Sequence, residues 1–411
     1  MGPSHERPKL GIVLSGGGAR GAYEAGVIHY LRTMLPEKVR QRRFDILCGA
    51  SVGAINTSFM AATTHDINFQ GIQIKHLWEN VREENIYRRD RKALLEFLAR
   101  SGKGIFMNML KGENRSSHFN GFLDTAPFLP FIEKVIPWPM ISKNIKAGLL
   151  QAISIVATNV FTGRTELFIE KLPEVEYTGE YIHHTTRIKP IHAMASAAIP
   201  LIFPTVMVDD IAYTDGGLRL NTPMSPAIQL GADAILVIGL HHRAKPGEKI
   251  PFHGEKGKSP ALGQVLGRVM NSIFLDRIQY DIEQMERINR IIEWGETIHG
   301  KHFLEEINTM LHREKIRGDI ANRGLKRLSA LRIRPSEDIG EIFSDCYRRG
   351  RDKHFTHFEK FMVRLLDIDP AEGVDVLSYI GFMPEYLSKL LELGFEDARR
   401  SHSDLIAFLD Q

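Results

Sequence analysis

The sequence predicts an α/β fold, a three-layer sandwich with a mostly parallel central sheet and a helical C-terminal extension. Three observations carry this prediction. Two strand-turn-helix units follow one another within the first 62 residues, short apolar runs recur up to about residue 239, and helix-period patterning dominates the last third of the chain. Strands alternating with helices favour parallel pairing through crossover connections.

Residues 9–14, KLGIVL, form a short apolar run flanked by charge and glycine, as a buried strand requires. The glycine-rich turn after it feeds GAYEAGVIHYLRTML, where Tyr23, Val27, Tyr30, Leu31 and Met34 recur at helical spacing. FDILCGASVGAINTSFMAA repeats the arrangement, with a strand over 44–48, a tight turn and a helix of small and apolar residues. Residues 71–145 break the pattern and read as an insertion capping the sheet, in segments such as FLPFIEKVIPWPMISK that mix aromatic, Pro, Met and basic residues. Strand patterning resumes at 152–157, 165–169, 205–213 and 234–239. From Phe274 onward, Ile278, Ile282, Met285, Ile288 and Ile292 mark one face of an amphipathic helix. LRIRP, 331–335, is a further strand candidate leading into a helix with Ser336 as its N-cap. The expected division is a tail over 1–8, a main domain over 9–335 containing the 71–145 cap, and a helical extension over 336–411.

Composition narrows the function classes. With 43% hydrophobic and 25% charged residues, the 411-residue chain is an ordinary globular protein. Its 53 basic and 50 acidic residues leave +3, too small a bias for nucleic acid as the main partner. Cys48 and Cys346 are the only cysteines, which implies neither a disulfide framework nor a cysteine metal site. The start, MGPSHERPKL, lacks the apolar core of a signal peptide, and Pro3 and Glu6 depart from the N-terminal acylation pattern. The apolar runs fall short of the roughly 18 to 20 residues a membrane span needs. The reading is a soluble, cytoplasmic protein with room for peripheral contact with membranes. His183-His184 and His241-His242 are adjacent pairs, and neighbours on extended backbone point to opposite faces, so no metal is expected. The basic run Arg88, Arg89, Arg91 and Lys92, with Phe97, Phe106, Met107, Met109 and later Trp138, fits either an anionic lipid surface or a solvated helix face backed by core.

Candidate chemistry lies in the glycine-flanked turns. LSGGGARGAYEAG places Gly16, Gly18 and Gly21 at the spacing G-x-G-x-x-G. A dinucleotide fingerprint needs an acidic residue ending the second strand, whereas Asp45 precedes that strand. A phosphate loop would close on G-K-[ST], and this loop closes on Ala19-Arg20-Gly21. The remaining chemical reading is a row of unhindered backbone N–H groups at a helix N-terminus, suited to an oxyanion. Gly49-Ala50-Ser51-Val52-Gly53 favours that reading, because it matches G-x-S-x-G between strand and helix, where a nucleophile elbow sits. Two bases stay open for Ser51. His241 or His242 would complete an α/β-hydrolase order, although only one βα unit precedes the elbow here. Asp215, between an apolar run and Gly216-Gly217, is the other.

Taken in order, these motifs resemble those of the patatin-like phospholipases: G-G-G-x-[RK]-G at Gly16 to Gly21, G-x-S-x-G at Gly49 to Gly53, and D-G-[AG] at Asp215-Gly216-Gly217. The block ASAAIPLIFP, 195–204, is similar to the family's loop upstream of the aspartate, and SYIGFMPEYLSKLLELGFEDA is loosely similar to bacterial members. The resemblance spans about residues 9–240. It implies a lipid acyl hydrolase of phospholipase A or lysophospholipase type, acting on phospholipid or another acyl lipid through a Ser-Asp dyad. Ser51 would be the nucleophile, Asp215 the base, and the Gly16-Gly17-Gly18 loop the oxyanion hole, with the amides of Gly17 and Gly18 as donors. Gly21, Gly49, Gly53, Gly216 and Gly217 would support these turns, and Arg20 would brace the loop. No histidine and no metal or organic cofactor is implied. A transacylase using the same dyad, and a catalytically silent lipid-binding regulatory protein, are the rivals. A carboxylate with a pKa of about 4 is a weak base for a serine hydroxyl unless burial raises it.

Overall fold

In the computed structural model, which describes residues 7–88, 121–242, 278–313, 324–350 and 374–411, every residue of strand β1 (Leu10–Leu14) is buried. A strand covered on both faces needs apolar side chains pointing both ways, and LGIVL supplies them. Ile12 and Leu14 enter one core and Val13 the other, because successive side chains alternate across a strand. β1 runs parallel to β2 (Ile46–Ala50) on one side and to β8 (Ala234–Ile238) on the other.

The sheet order is β5-β4-β3-β2-β1-β8-β9, completed by β3 (Ala152–Asn159), β4 (Thr165–Lys171), β5 (Ile182–Thr185) and β9 (Ser329–Ile333). β3 pairs with β2 in parallel and with β4 antiparallel. The 205–213 run, expected as one strand, is a hairpin of β6 (Val206–Val208) and β7 (Ile211–Asp215). Asp209 and Asp210 hold φ angles of 46° and 64°, the left-handed pair that a two-residue hairpin turn demands. That reversal sends β7 antiparallel along the far end of β3.

Helices cover both faces. On the first lie α1 (Gly21–Thr33), α2 (Val52–Thr63), α3 (Ile67–Asn80), α4 (Phe128–Val135) and α5 (Pro190–Ser196), whose apolar residues share one core. The second core takes Met224 and Ala227 from α6 (Met224–Gln229) and Met285 from α7 (Ile278–His299). The C-terminal helices α8 (Ile339–Gly350) and α9 (Pro384–Arg400) bury Phe343, Leu387 and Leu390 in the first core. The start of α8 differs from expectation. Asp338, not Ser336, caps it, accepting from the Gly340 amide at 2.7 Å, while Ser336 donates its own amide to Asp397. Cys48 and Cys346 are buried free thiols. No helix among the described residues is long and apolar enough to cross a membrane.

α1 and α9 approach backbone to backbone. A Cβ on Gly26 would lie 2.1 Å from the Leu391 carbonyl oxygen, and one on Gly394 would lie 2.1 Å from the Tyr23 carbonyl oxygen. Such contact is open only to glycine. Helix propensity alone favours alanine over glycine by about 1 kcal/mol, yet the clash reverses the sign. Gly394→Ala should lower stability by about 1–3 kcal/mol, seen in urea denaturation as a lower midpoint at unchanged slope.

Candidate active site

The sheet register brings the site together. β2 ends at Ala50, whose partner on β3 is Val156. β3 continues to Asn159, and β7 takes up the vacated edge, with Asp215 opposite Ala157 and Thr214 opposite Thr158. The residue after Ala50 and the residue opposite Ala157 therefore meet. The Ser51 hydroxyl donates to Asp215 Oδ2 at 2.6 Å, and the two residues are 1% and 0% exposed.

Ser51 sits at the sharp turn between β2 and α2, with φ 52° and ψ −125°. This conformation is uncommon for a residue with a Cβ and costs on the order of 1–3 kcal/mol, so its surroundings must enforce it. The flanking glycines allow close packing: a Cβ on Gly49 would lie 2.3 Å from the Gly53 carbonyl oxygen, and one on Gly53 would lie 2.3 Å from that of Leu14. The Ser51 amide donates to Ser196 Oγ at 2.9 Å, and the Ser196 hydroxyl donates to the Val156 carbonyl at 2.6 Å. Ser196 thus ties the elbow to β3, within the ASAAIP segment.

Asp215 is fixed at each end. Its Oδ1 accepts from the Gly217 amide at 2.7 Å, its amide donates to the Ala198 carbonyl at 2.9 Å, and its carbonyl accepts from the Thr158 hydroxyl at 2.9 Å. Burial pushes the Asp215 carboxyl up to about 7, against the opposing pull of the hydrogen bonds from Ser51 and Gly217. This carboxylate is accordingly a far better base than an exposed one.

The glycine loop lies over the elbow. A Cβ on Gly16 would come within 2.9 Å of Ser51 Cβ. The Gly16 amide donates to the Asn221 carbonyl at 3.1 Å, so of the expected oxyanion-hole residues Gly16 contributes position while its N–H is already committed. Gly17 precedes the short 3-10 turn Gly18–Arg20, and Gly18 has φ 57°, in the left-handed region. Arg20 is 5% exposed. Its Nε and Nη2 donate to Ser378 Oγ at 3.0 and 2.6 Å, and its guanidinium lies 4.0 Å from the Tyr379 ring centroid.

Ser51 and Gly18 open into an apolar cleft. Ile55, Trp78, Phe128, Phe131, Phe203, Tyr379 and Phe382 line it. Trp78 is held by its indole N–H donating to Asn56 Oδ1 at 2.9 Å. Sequence reasoning missed Ser196, Asn221, Ser378, Tyr379 and Phe382; the resemblance of segments 195–204 and 378–398 to family blocks was the only signal for four of them, and Asn221 had none.

The other candidates fall elsewhere. His184 accompanies Glu166 at 2.7 Å while His183 packs against Tyr177, on opposite faces as expected. His242 Nδ1 lies 3.1 Å from the Pro335 carbonyl. Among the described residues, no histidine hydrogen-bonds Ser51 or Asp215. Arg88 pairs with Asp124 at 3.3 Å; Arg89, Arg91, Lys92, Phe97, Phe106, Met107 and Met109 lie outside the described residues. Trp138 is buried in the first core, its indole N–H on the Ile132 carbonyl, which removes it from any lipid-facing surface.

Comparison with known proteins gives three kinds of match. A family model described as patatin-like phospholipase covers residues 12–228. A curated relative, the cGAMP-activated phospholipase of Pseudomonas aeruginosa (strain BWHPSA011 / Pa011), is 27% identical over 212 residues, 52% of this chain and 53% of the relative. The chain therefore spans about half the length of that relative. Among solved structures, human GIVD cytosolic phospholipase A2 matches with a TM-score of 0.41 at 11% identity, covering 98% of this chain and 59% of that one. VipD from Legionella pneumophila matches at 0.30 and 14% identity, covering 94% and 67%.

The raised carboxyl pKa has a consequence for stability. Below the ordinary value of 3.8, Asp215 is protonated folded or unfolded and contributes nothing. Between there and about 7 the unfolded chain ionises while the folded one does not, so a destabilisation grows with pH and levels off above about 7. Asp215→Asn removes this cost. It should stabilise the protein at pH 8 by up to about 4 kcal/mol, at about 1.4 kcal/mol per pH unit, and the gain should vanish near pH 4. Chemical denaturation across pH 4–8 measures both; a pH-independent difference would contradict the assignment.

Proposed function

The chain belongs to the patatin-like phospholipase family, and we propose that it is a lipid acyl hydrolase of phospholipase A or lysophospholipase type, cleaving fatty-acyl esters with Ser51 as nucleophile and Asp215 as base. The observation that carries this reading is the 2.6 Å hydrogen bond from Ser51 to a fully buried carboxylate at the end of an apolar cleft. The cleft suits a fatty-acyl chain, whose methylenes gain about 0.8 kcal/mol each on leaving water.

Catalysis follows from the placement of the groups. Ser51 Oγ attacks the ester carbonyl carbon while its proton passes to Asp215 Oδ2, and the carbonyl oxygen becomes an oxyanion. The amides of Gly17 and Gly18 stabilise that charge; donors of this kind are typically worth about 100- to 1,000-fold in rate. Collapse breaks the bond to the alcohol, which leaves with the proton held by Asp215, and Ser51 carries the acyl group as an ester. Water attacks this ester, giving its proton to Asp215, and the fatty acid departs as Ser51 Oγ takes the proton back. One carboxyl group serves as base and acid in turn, a role suited to a pKa near neutrality. The metal-free, histidine-free scheme uses only these residues. Contact with a lipid surface is peripheral in this reading.

A fluorophosphonate probe should label wild type once, at Ser51, and Ser51→Ala should abolish labelling and turnover; a labelled variant would contradict the assignment. Asp215→Asn should lower turnover by orders of magnitude, whereas His241→Ala and His242→Ala should stay within about threefold of wild type, a barrier change of about 0.7 kcal/mol. A loss for either histidine variant equal to that of Asp215→Asn, with the fold intact, would demand a triad instead. Because the carboxylate form of Asp215 is the active one, kcat/KM should rise with pH to a plateau above about 7.

A further inference from the structure

The oxyanion loop is anchored unevenly. On its N-terminal side, backbone hydrogen bonds fix it to the sheet end: the Ser15 amide donates to the Ile238 carbonyl at 3.3 Å and the Gly16 amide to that of Asn221 at 3.1 Å. Past Gly16 the loop turns over on itself, with the Arg20 amide on the Gly17 carbonyl. Its outward side rests on a distant part of the chain, residues 378–379, beyond the 12–228 region that the family model covers. A Cβ on Gly18 would lie only 2.0 Å from the Tyr379 carbonyl oxygen, so the backbones touch where Gly18 takes its left-handed turn. Arg20 leaves the loop to meet the same segment, and Ser378 Oγ accepts from two of its nitrogens.

That segment is itself held on several sides. Ser378 is fully buried. The Tyr386 hydroxyl lies 3.4 Å from the Ser378 carbonyl, and the Tyr87 hydroxyl donates to the Ile380 carbonyl at 3.1 Å. α9 then follows, seated on α1, the helix that the loop initiates. A buried guanidinium needs acceptors and a polarisable face to offset its desolvation. Ser378 and Tyr379 supply one of each.

We infer that Ser378 and Tyr379 are positioning residues of the oxyanion loop: by holding Arg20 and abutting Gly18 they aim the Gly17 and Gly18 amides at the reacting carbonyl. This rests on the reading of Ser51 as nucleophile. An oxyanion forms only as the reaction proceeds, so misaimed amides lower kcat more than they raise KM. Because Ser378 acts through Arg20, removing both partners costs no more than removing Arg20 alone.

The test is steady-state hydrolysis of p-nitrophenyl octanoate by wild type, Ser51→Ala, Ser378→Ala, Arg20→Gln, the Ser378→Ala/Arg20→Gln double variant, and Ser388→Ala as an exposed control from α9. Ser378→Ala should lower kcat by about 10- to 100-fold with KM within about threefold, and the double variant should match Arg20→Gln within about threefold. If thermal melting shows Ser378→Ala misfolded, Ser378→Cys keeps the volume while weakening the acceptor and should lose kcat alike. A Ser378 variant, folded, with kcat within twofold of wild type overturns the inference, as do losses that multiply in the double variant or that arise in KM. Ser51→Ala as active as wild type would instead remove the nucleophile and, with it, this premise; an unaffected Ser378 variant beside an inactive Ser51→Ala sinks the positioning role alone.

Discussion

The hydrogen bond between Ser51 and Asp215 is the contact on which the remaining arrangement depends, and sheet register determines it. β2 stops at Ala50, opposite Val156, and β7 occupies the next stretch of the same β3 edge, beginning with Asp215 opposite Ala157. A slip of one residue in the β3–β7 pairing would turn Asp215 to the other face, and a slip in the β2–β3 pairing would displace Ser51. The hairpin turn at Asp209-Asp210 and the Thr158 hydroxyl on the Asp215 carbonyl hold that register. Ser196 does the equivalent on the other side, joining the Ser51 amide to the Val156 carbonyl. β3 is thus the common reference for both members of the pair.

Burial gives the carboxyl its basicity and also makes the site costly. A carboxylate without solvent resists ionisation, and the two hydrogen bonds it accepts, from Ser51 and Gly217, offset only part of that resistance. The Ser51 backbone adds strain at φ 52°. Both are stabilised by the surrounding sandwich, in which β1 and β2 are buried on each face and α1 and α2 begin within a few residues of the turns. Regular elements therefore carry both residues.

Much of this was legible in the sequence because its signals are local. Gly49, Ser51 and Gly53 lie within five residues, and their spacing reports a strand-to-helix turn directly. KLGIVL and AILVIG announce fully buried strands by composition alone. One local signal was passed over: Asp209-Asp210 breaks the apolar run at 205–213 and favours a turn, and the left-handed angles of that pair make the reversal. The rest of what could not be read depends on long-range pairing. Ser336 and Asp338 are both good caps by residue type, and Ser336 lost the role because Asp397 and Arg400 of α9 engage it. Trp138, amphipathic on paper, found its partner in the Ile132 carbonyl and the core. Ser196 and Ser378 are unremarkable serines until the fold brings them to Ser51 and Arg20.

Arg20 shows why a motif read alone is incomplete. Within the loop it appears as the basic residue of a glycine-rich turn, yet its side chain reaches partners 358 positions away along the sequence. A buried guanidinium without acceptors would be strongly destabilising, and the C-terminal segment supplies Arg20 with an acceptor in Ser378 and a ring face in Tyr379. α1 and α9 meet through glycines on both helices, Gly26 and Gly394, which draws the C-terminal segment close enough for Ser378 to accept from Arg20. The C-terminal helices complete the first core and also supply Tyr379 and Phe382 to the cleft. The elbow and the loop are thus specified locally, whereas the wall that faces them depends on the two ends of the chain packing together.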